Sequence, residues 1–116
     1  MFVGVASCGR SAADVDRVAR SVPAPAGLTF TGITHQTYQD GLGAATQEAN
    51  ADYTNPPMPC SQLLAAWRAS LQAAHWTIDE KNSTFGGLEV KRSGYKIIVN
   101  LGNVTTCDHT IVGVQN

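Results

Sequence analysis

The sequence predicts an α+β domain of two layers, an antiparallel sheet of four to six strands packed on one long helix. Three observations predict it. Residues 60–75 carry Cys60, Leu64, Trp67, Leu71 and Ala74 at helical spacing, with Leu63 alongside and Gln62, Arg68 and Gln72 on the other side. Tyr95, Ile97, Val99 and Leu101 alternate with Lys96, Ile98 and Asn100, the period of a strand with one face buried. Ser93-Gly94 separates that run from Leu88–Arg92 by the two residues of a tight hairpin.

The remaining elements follow in chain order. Val15, Val18, Ala19 and Val22 fall at helical spacing, and Ser11 and Asp14 stand as a capping box, which predicts a short helix over about 12–21. The prolines of Pro23–Gly27 end it, because proline cannot continue a helix. Threonine-rich arms over 28–38 and 44–54, broken at Asp40–Gly43, read as a hairpin with Ala45, Ala49, Ala51 and Tyr53 on one face. "NPPMP", Asn55–Pro59, reads as a stiff connector into the long helix.

Burying Leu64, Trp67 and Leu71 contributes roughly 1.5–3 kcal/mol each, so their face must meet the sheet. Trp67 is expected against the strand of Tyr95, Ile97, Val99 and Leu101. A last strand spans 110–115. A helix followed by two strands occurs over 12–54 and again over 60–101, which suggests a duplicated unit on topology alone.

A chain of 116 residues suits one domain with a modest core. Eight basic and nine acidic residues leave a net charge of -1, which provides no field to draw nucleic acid or an anionic membrane surface. The three cysteines, Cys8, Cys60 and Cys107, are an odd number. Cys60 and Cys107 lie in the segment that reads as folded and are expected to pair, whereas Cys8 precedes an Ala-, Ser- and Pro-rich lead-in. None sits in a CxxC, the spacing of zinc knuckles and thioredoxin-like sites. A disulfide implies an oxidising compartment.

Val5-Ala6-Ser7-Cys8 resembles the lipobox of bacterial lipoproteins, where an aliphatic and two small residues precede a cysteine that is lipidated and becomes the mature N-terminus. The resemblance covers four residues, with a truncated signal peptide ahead of them. It implies that residues 1–8 are the remnant of signal peptide and lipobox, that Cys8 carries the lipid, and that 9–27 form a tether containing the short helix. A single α+β domain then occupies 28–116.

Motifs for chemistry are sparse. His35, His75 and His109 have no HxH, HxxxH or HExxH spacing, so neither a metal nor a cofactor is expected. Cys107 and His109 lack the GxSxG or comparable setting of a nucleophile. "KRSGYK" places Lys91, Arg92, Tyr95 and Lys96 around a hairpin tip and is the candidate binding surface, suited to an anionic headgroup or a polysaccharide.

The expected role is that of a lipid-anchored, extracytoplasmic envelope protein with a non-catalytic binding domain, its partner an envelope protein or polysaccharide. One alternative is a small secreted hydrolase or isomerase whose site assembles from His35, Tyr38, Asp52 and His109. Another is a secreted inhibitor or effector that presents "NPPMP" as a rigid loop.

Overall fold

The computed structural model describes residues 12–39, 45–83, 86–102 and 105–116. Two helices, α1 (Ala12–Ser21) and α2 (Cys60–Ala73), accompany five strands, β1 (Thr29–Gln39), β2 (Ala45–Pro59), β3 (Gly87–Arg92), β4 (Tyr95–Asn100) and β5 (Thr106–Gln115). The strands form one sheet in the order β1-β2-β5-β4-β3 with every pairing antiparallel. The class is α+β, as the sequence indicates. The Asp40–Gly43 turn and Cys8 lie outside the described residues.

The helix layer differs from the expected single helix. Both helices pack on the same face of the sheet, and Val15 and Ala19 of α1 are as fully buried as Leu63, Trp67 and Leu71 of α2. Ser70 Oγ donates to Pro23 O at 2.7 Å and ties α2 to the segment leaving α1. Val15, Ala19 and Val22 therefore belong to the core, and α1 is part of the domain rather than of a free tether. The reason is legible in its own sequence: three aliphatic side chains on one face of a short helix need a surface to cover them.

The buried stripe of α2 is Leu63, Trp67 and Leu71, spaced i, i+4, i+8. Leu64 and Cys60 lie at its margin and Ala74 is exposed, so the helix is rotated from the face centred on Leu64. Trp67 contacts two strands that the sequence did not indicate for it. Its ring meets Tyr53 of β2 edge-on at 5.5 Å, and its indole N–H donates to Thr110 Oγ1 of β5 at 3.2 Å. These contacts place the indole on the central strands β2 and β5.

Asn55–Pro59 is part of β2 and not a connector. The β2–β5 register is regular to Thr54↔His109, breaks, and resumes at Met58↔Cys107 and Pro59↔Thr106. Prolines fit here for two reasons. The ladder to β5 is interrupted at Pro56 and Pro57, and β1 ends its pairing at Thr29↔Thr54, so beyond that point β2 has a bare edge. At roughly 3.3 Å per residue, the 15 residues of β2 span about 50 Å. That length accounts for the 49 Å long axis of the molecule. Being built into the sheet, this segment is not a protruding inhibitory loop. The final strand likewise starts earlier than expected, at Thr106.

Cys60 and Cys107 stand at disulfide distance, Sγ–Sγ 2.01 Å and Cα–Cα 4.9 Å. Cys60 N also donates to Thr105 O at 3.0 Å, so the start of α2 is held to the start of β5 by backbone as well as sulfur.

The two helix-hairpin units are not copies related by rotation. β1 and β2 run parallel to β3 and β4 respectively, but the hairpins lie in reversed left-right order on either side of β5. A half-turn about the strand direction would interchange them only by carrying one helix to the other face. Both helices share one face, so the repetition is one of element order only.

Candidate functional site

Because α1 and α2 both cover one face, the other face of the sheet carries neither helix, and the turn at Glu80–Asn82 borders it only beside β3. Strand alternation dictates what it presents: once Ala49, Ala51 and Tyr53 point to the helices, Glu48, Asn50 and Asp52 must point away. The register arranges this face in three rows. Gln36, Glu48, Gln115, Lys96 and Lys91 lie side by side, then Thr34, Asn50, Gly113, Ile98 and Glu89, then Gly32, Asp52, Ile111, Asn100 and Gly87.

Gly113 is the centre of the middle row and leaves a depression there. A Cβ at this position would come within 3.1 Å of Asn50 Oδ1 and 3.8 Å of Glu48 Oε2. The resulting hollow has a volume of about 160 Å³ and is lined by Glu48, Asn50, Lys96, Ile98, Asn100, Ile111, Gly113 and Gln115. Gln115 Nε2 donates to Glu48 Oε1 at 3.0 Å, fixing one wall. Two further hollows, of about 230 and 290 Å³, share Asn100 and Gly102 with each other and continue the depression toward His109 and toward Glu89.

Chemically the lining combines one carboxylate and one ammonium with three amides, around two exposed or half-buried isoleucines. Amides donate and accept at once, so such a surface suits a neutral polar chain with alternating hydroxyl and C–H faces. At the end of β1, Tyr38 is 48% exposed, and its hydroxyl donates to Gln36 Oε1. Partial desolvation, and then the Glu48 carboxylate, push the Tyr38 hydroxyl above its usual range.

The candidate tip residues do not share one surface. The pairs Lys91↔Lys96 and Arg92↔Tyr95 point to opposite faces of the hairpin. Tyr95 is buried, and the Arg92 guanidinium lies 4.5 Å above the Trp76 ring. Those two line a hollow of about 200 Å³ with Arg17, Ser21 and Ser93, between α1 and the hairpin. Lys91 Nζ is 3.9 Å from Asp79 Oδ2. Lys96 is the member of the four that reaches the central hollow of the bare face.

His35, Tyr38, Asp52 and His109 are likewise divided. His35 faces the helices, with Nε2 3.1 Å from Asp16 Oδ1 on α1. Asp16 also accepts from Arg20 Nε at 2.7 Å, and chiefly that bond holds its carboxyl below the usual range against some desolvation, His35 assisting. Asp52 and His109 meet on the bare face at 3.3 Å. Tyr38 pairs with Thr46, six residues along β2 from Asp52 or about 20 Å, so the four form no common site.

The sequence reading missed Glu48, Asn50, Ile98, Asn100, Ile111, Gly113 and Gln115. Two signals could have found them: the outward phase of the strands, and a glycine inside the otherwise apolar "TIVGVQ". Among the described residues, no group of three or more His, Cys, Asp or Glu side chains is placed to hold a metal ion, and no helix is long and apolar enough to cross a membrane.

Comparison with models of protein families, with curated proteins and with solved structures finds no match for this chain.

Proposed function

We propose that this chain is a small lipid-anchored protein of the bacterial cell envelope, held through Cys8, whose folded part is a non-catalytic binding domain. The anchor reading rests on Val5-Ala6-Ser7-Cys8, which resembles a lipobox. Two buried acyl chains hold a protein to a bilayer where one gives marginal attachment, so the diacylglyceryl group implied by that motif matters physically. Cys60 and Cys107 at disulfide distance agree with an oxidising, extracytoplasmic setting.

For the binding function, the bare sheet face carries the reading. A depression floored by Gly113 and walled by amides and isoleucines suits a neutral polysaccharide strand laid across β2, β5 and β4. The candidate surface thus moves from the hairpin tip to the sheet, retaining Lys96. A second reading, a small secreted enzyme, draws on the Asp52–His109 pair at the rim of the hollow beside Asn100.

The anchor is tested by expressing the gene with its own upstream sequence, with and without Cys8→Ala. Detergent partitioning and the mass of the N-terminal peptide are then measured. A parent that enters the detergent phase with a lipidated Cys8 as its first residue, and a variant that stays aqueous, are the expected results. A soluble parent that retains Met1 overturns the anchor.

A further inference from the structure

The two edges of the sheet are treated differently. At one edge, β3 has six residues, carries Glu89, Lys91 and Arg92, and is covered: Ile78 bridges to Val90, and Asp79 N donates to Glu89 O at 2.8 Å. These are the usual protections of an edge strand, namely shortness, charge and cover. At the other edge, β1 has eleven residues, TFTGITHQTYQ, with no Lys, Arg, Asp, Glu or Pro. Among the described residues its only strand neighbour is β2. The one irregularity lies between Phe30 and Gly32, which leaves Ile33–Gln39 in unbroken register. The His35 ring, the one basic group on the strand, is turned to Asp16 of α1 and away from the edge.

We infer that β1 pairs with β1 of a second copy of this chain, antiparallel about a twofold axis, to form a continuous ten-stranded sheet. A twofold axis normal to the sheet keeps helix face with helix face, which requires the axis to pass through a residue and not between two. Centred on Gln36, the pairing uses the whole regular segment from Ile33 to Gln39. It sets Thr34 of one copy opposite Tyr38 of the other on the bare face, and His35 opposite Thr37 on the helix face. Thr34 and Tyr38 form a β-branched and aromatic cross-strand pair, a favourable combination.

The occupant is a second copy because the register centred on Gln36 sets Thr34 against Tyr38 twice, once on each side of the axis, and the segment is neutral. It offers no charge pattern that would select a different chain, and no like charges meet across the axis. Tyr38, 48% exposed, lies within this segment and loses solvent as the dimer forms. The bare faces of the two copies become one surface, so this pairing would extend the depression centred on Gly113 into a doubled array.

Sedimentation of the full chain over a range of concentrations, together with cysteine crosslinking, tests the pairing. Every arm carries Cys8→Ala to remove the competing thiol. Residues directly opposite in an antiparallel ladder have Cα atoms about 4.5–5.5 Å apart, within the range a disulfide spans. Gln36→Cys, at the axis, is therefore expected to oxidise to a covalent dimer, whereas Gln62→Cys, exposed on α2, is not. As an independent arm, Thr34→Cys mixed with Tyr38→Cys should give the mixed dimer in excess of either homodimer. A chain that sediments as a monomer throughout overturns the inference, as does a dimer in which Gln62→Cys crosslinks as fast as Gln36→Cys.

Discussion

The indole N–H of Trp67 donates to the hydroxyl of Thr110 at 3.2 Å, with both residues fully buried. It is a polar contact set within the apolar interface between α2 and β5, and Tyr53 stacks edge-on against the same indole. Truncating Trp67 to Ala removes the largest fully buried side chain and is expected to cost about 3–5 kcal/mol, comparable to the whole stability of a small domain. Thr110→Val tests the hydrogen bond separately. It keeps the shape but leaves the indole N–H without its acceptor, at about 1–3 kcal/mol. Urea denaturation checks both, and equal midpoints for parent and Thr110→Val would show that the bond contributes nothing.

Cys60 and Cys107 close a loop with a sequence separation of 47. On the chain-entropy model a loop of that length stabilises by about 4 kcal/mol when cross-linked, by restricting the unfolded state. The backbone bond from Cys60 N to Thr105 O does not need the sulfurs, so the reduced chain should keep its fold at reduced stability. Thermal melting of the chain with and without reductant measures the difference. A melting temperature unchanged by full reduction excludes this contribution.

How much of this was legible in the sequence depended on whether the signal was local. The β3–β4 hairpin was readable because Tyr95, Ile97 and Val99 alternate cleanly and Ser93-Gly94 supplies the turn. Both turn residues adopt positive φ, 54° and 83°, as a two-residue hairpin of this type demands. The class and both helices were readable for the same reason. The place of Asn55–Pro59 was not, since prolines argue against a strand unless the strand has a bare edge and a break in its ladder, and both are tertiary facts. The bare-face site was hidden for a related reason. Its members are ordinary amides and isoleucines scattered from Glu48 to Gln115, and only the order β2-β5-β4 makes them neighbours.

His75 ends α2 in the left-handed region, with φ 65°, while Trp76 N donates to Leu71 O at 2.9 Å and His75 N to Gln72 O at 3.0 Å. This is the hydrogen-bond pattern of a Schellman cap, whose left-handed position is usually glycine. The left-handed backbone that His75 must adopt is therefore the main constraint on the residue at this position. His75→Gly is expected to stabilise the chain by about 0.5–1 kcal/mol, because the left-handed penalty exceeds the added freedom of the unfolded glycine. A lower melting temperature for the variant would show the reverse balance.

Asp16 joins Arg20 and His35 at the junction of α1 and β1, and its carboxyl is held below the usual range chiefly by the Arg20 bond. Asp79 is lowered likewise, chiefly by the side-chain bond from Asn82 and further by Lys91. For a carboxyl depressed on folding, the stabilising contribution is present above its unfolded value, about 3.9, and is lost as pH falls through the folded value. Both groups therefore predict a loss of stability on the acid side, beginning below about pH 5. Asp16→Asn and Asp79→Asn should each flatten the acid limb of a plot of melting temperature against pH. An acid limb of unchanged slope in both variants would assign it to other groups.

Gly113 provides the sharpest test of the bare face, since it lies mid-strand on β5 between Asn50 and Ile98. A valine there fills the depression, and its Cβ meets the Asn50 side-chain oxygen at 3.1 Å, an atom free to move toward solvent. Valine is favoured in strands where glycine is not, so Gly113→Val should fold with stability within about 1 kcal/mol of the parent. Binding should respond in the opposite way. If a polysaccharide strand lies across β2, β5 and β4, the filled floor lifts it from the Asn50, Asn100 and Gln115 amides, and co-sedimentation with purified cell-wall polysaccharide should be lost. Lys91→Ala with Arg92→Ala, at the hairpin tip, should leave that binding intact. The reverse outcome, binding lost with the tip pair and kept with Gly113→Val, would move the site from the sheet to the hairpin.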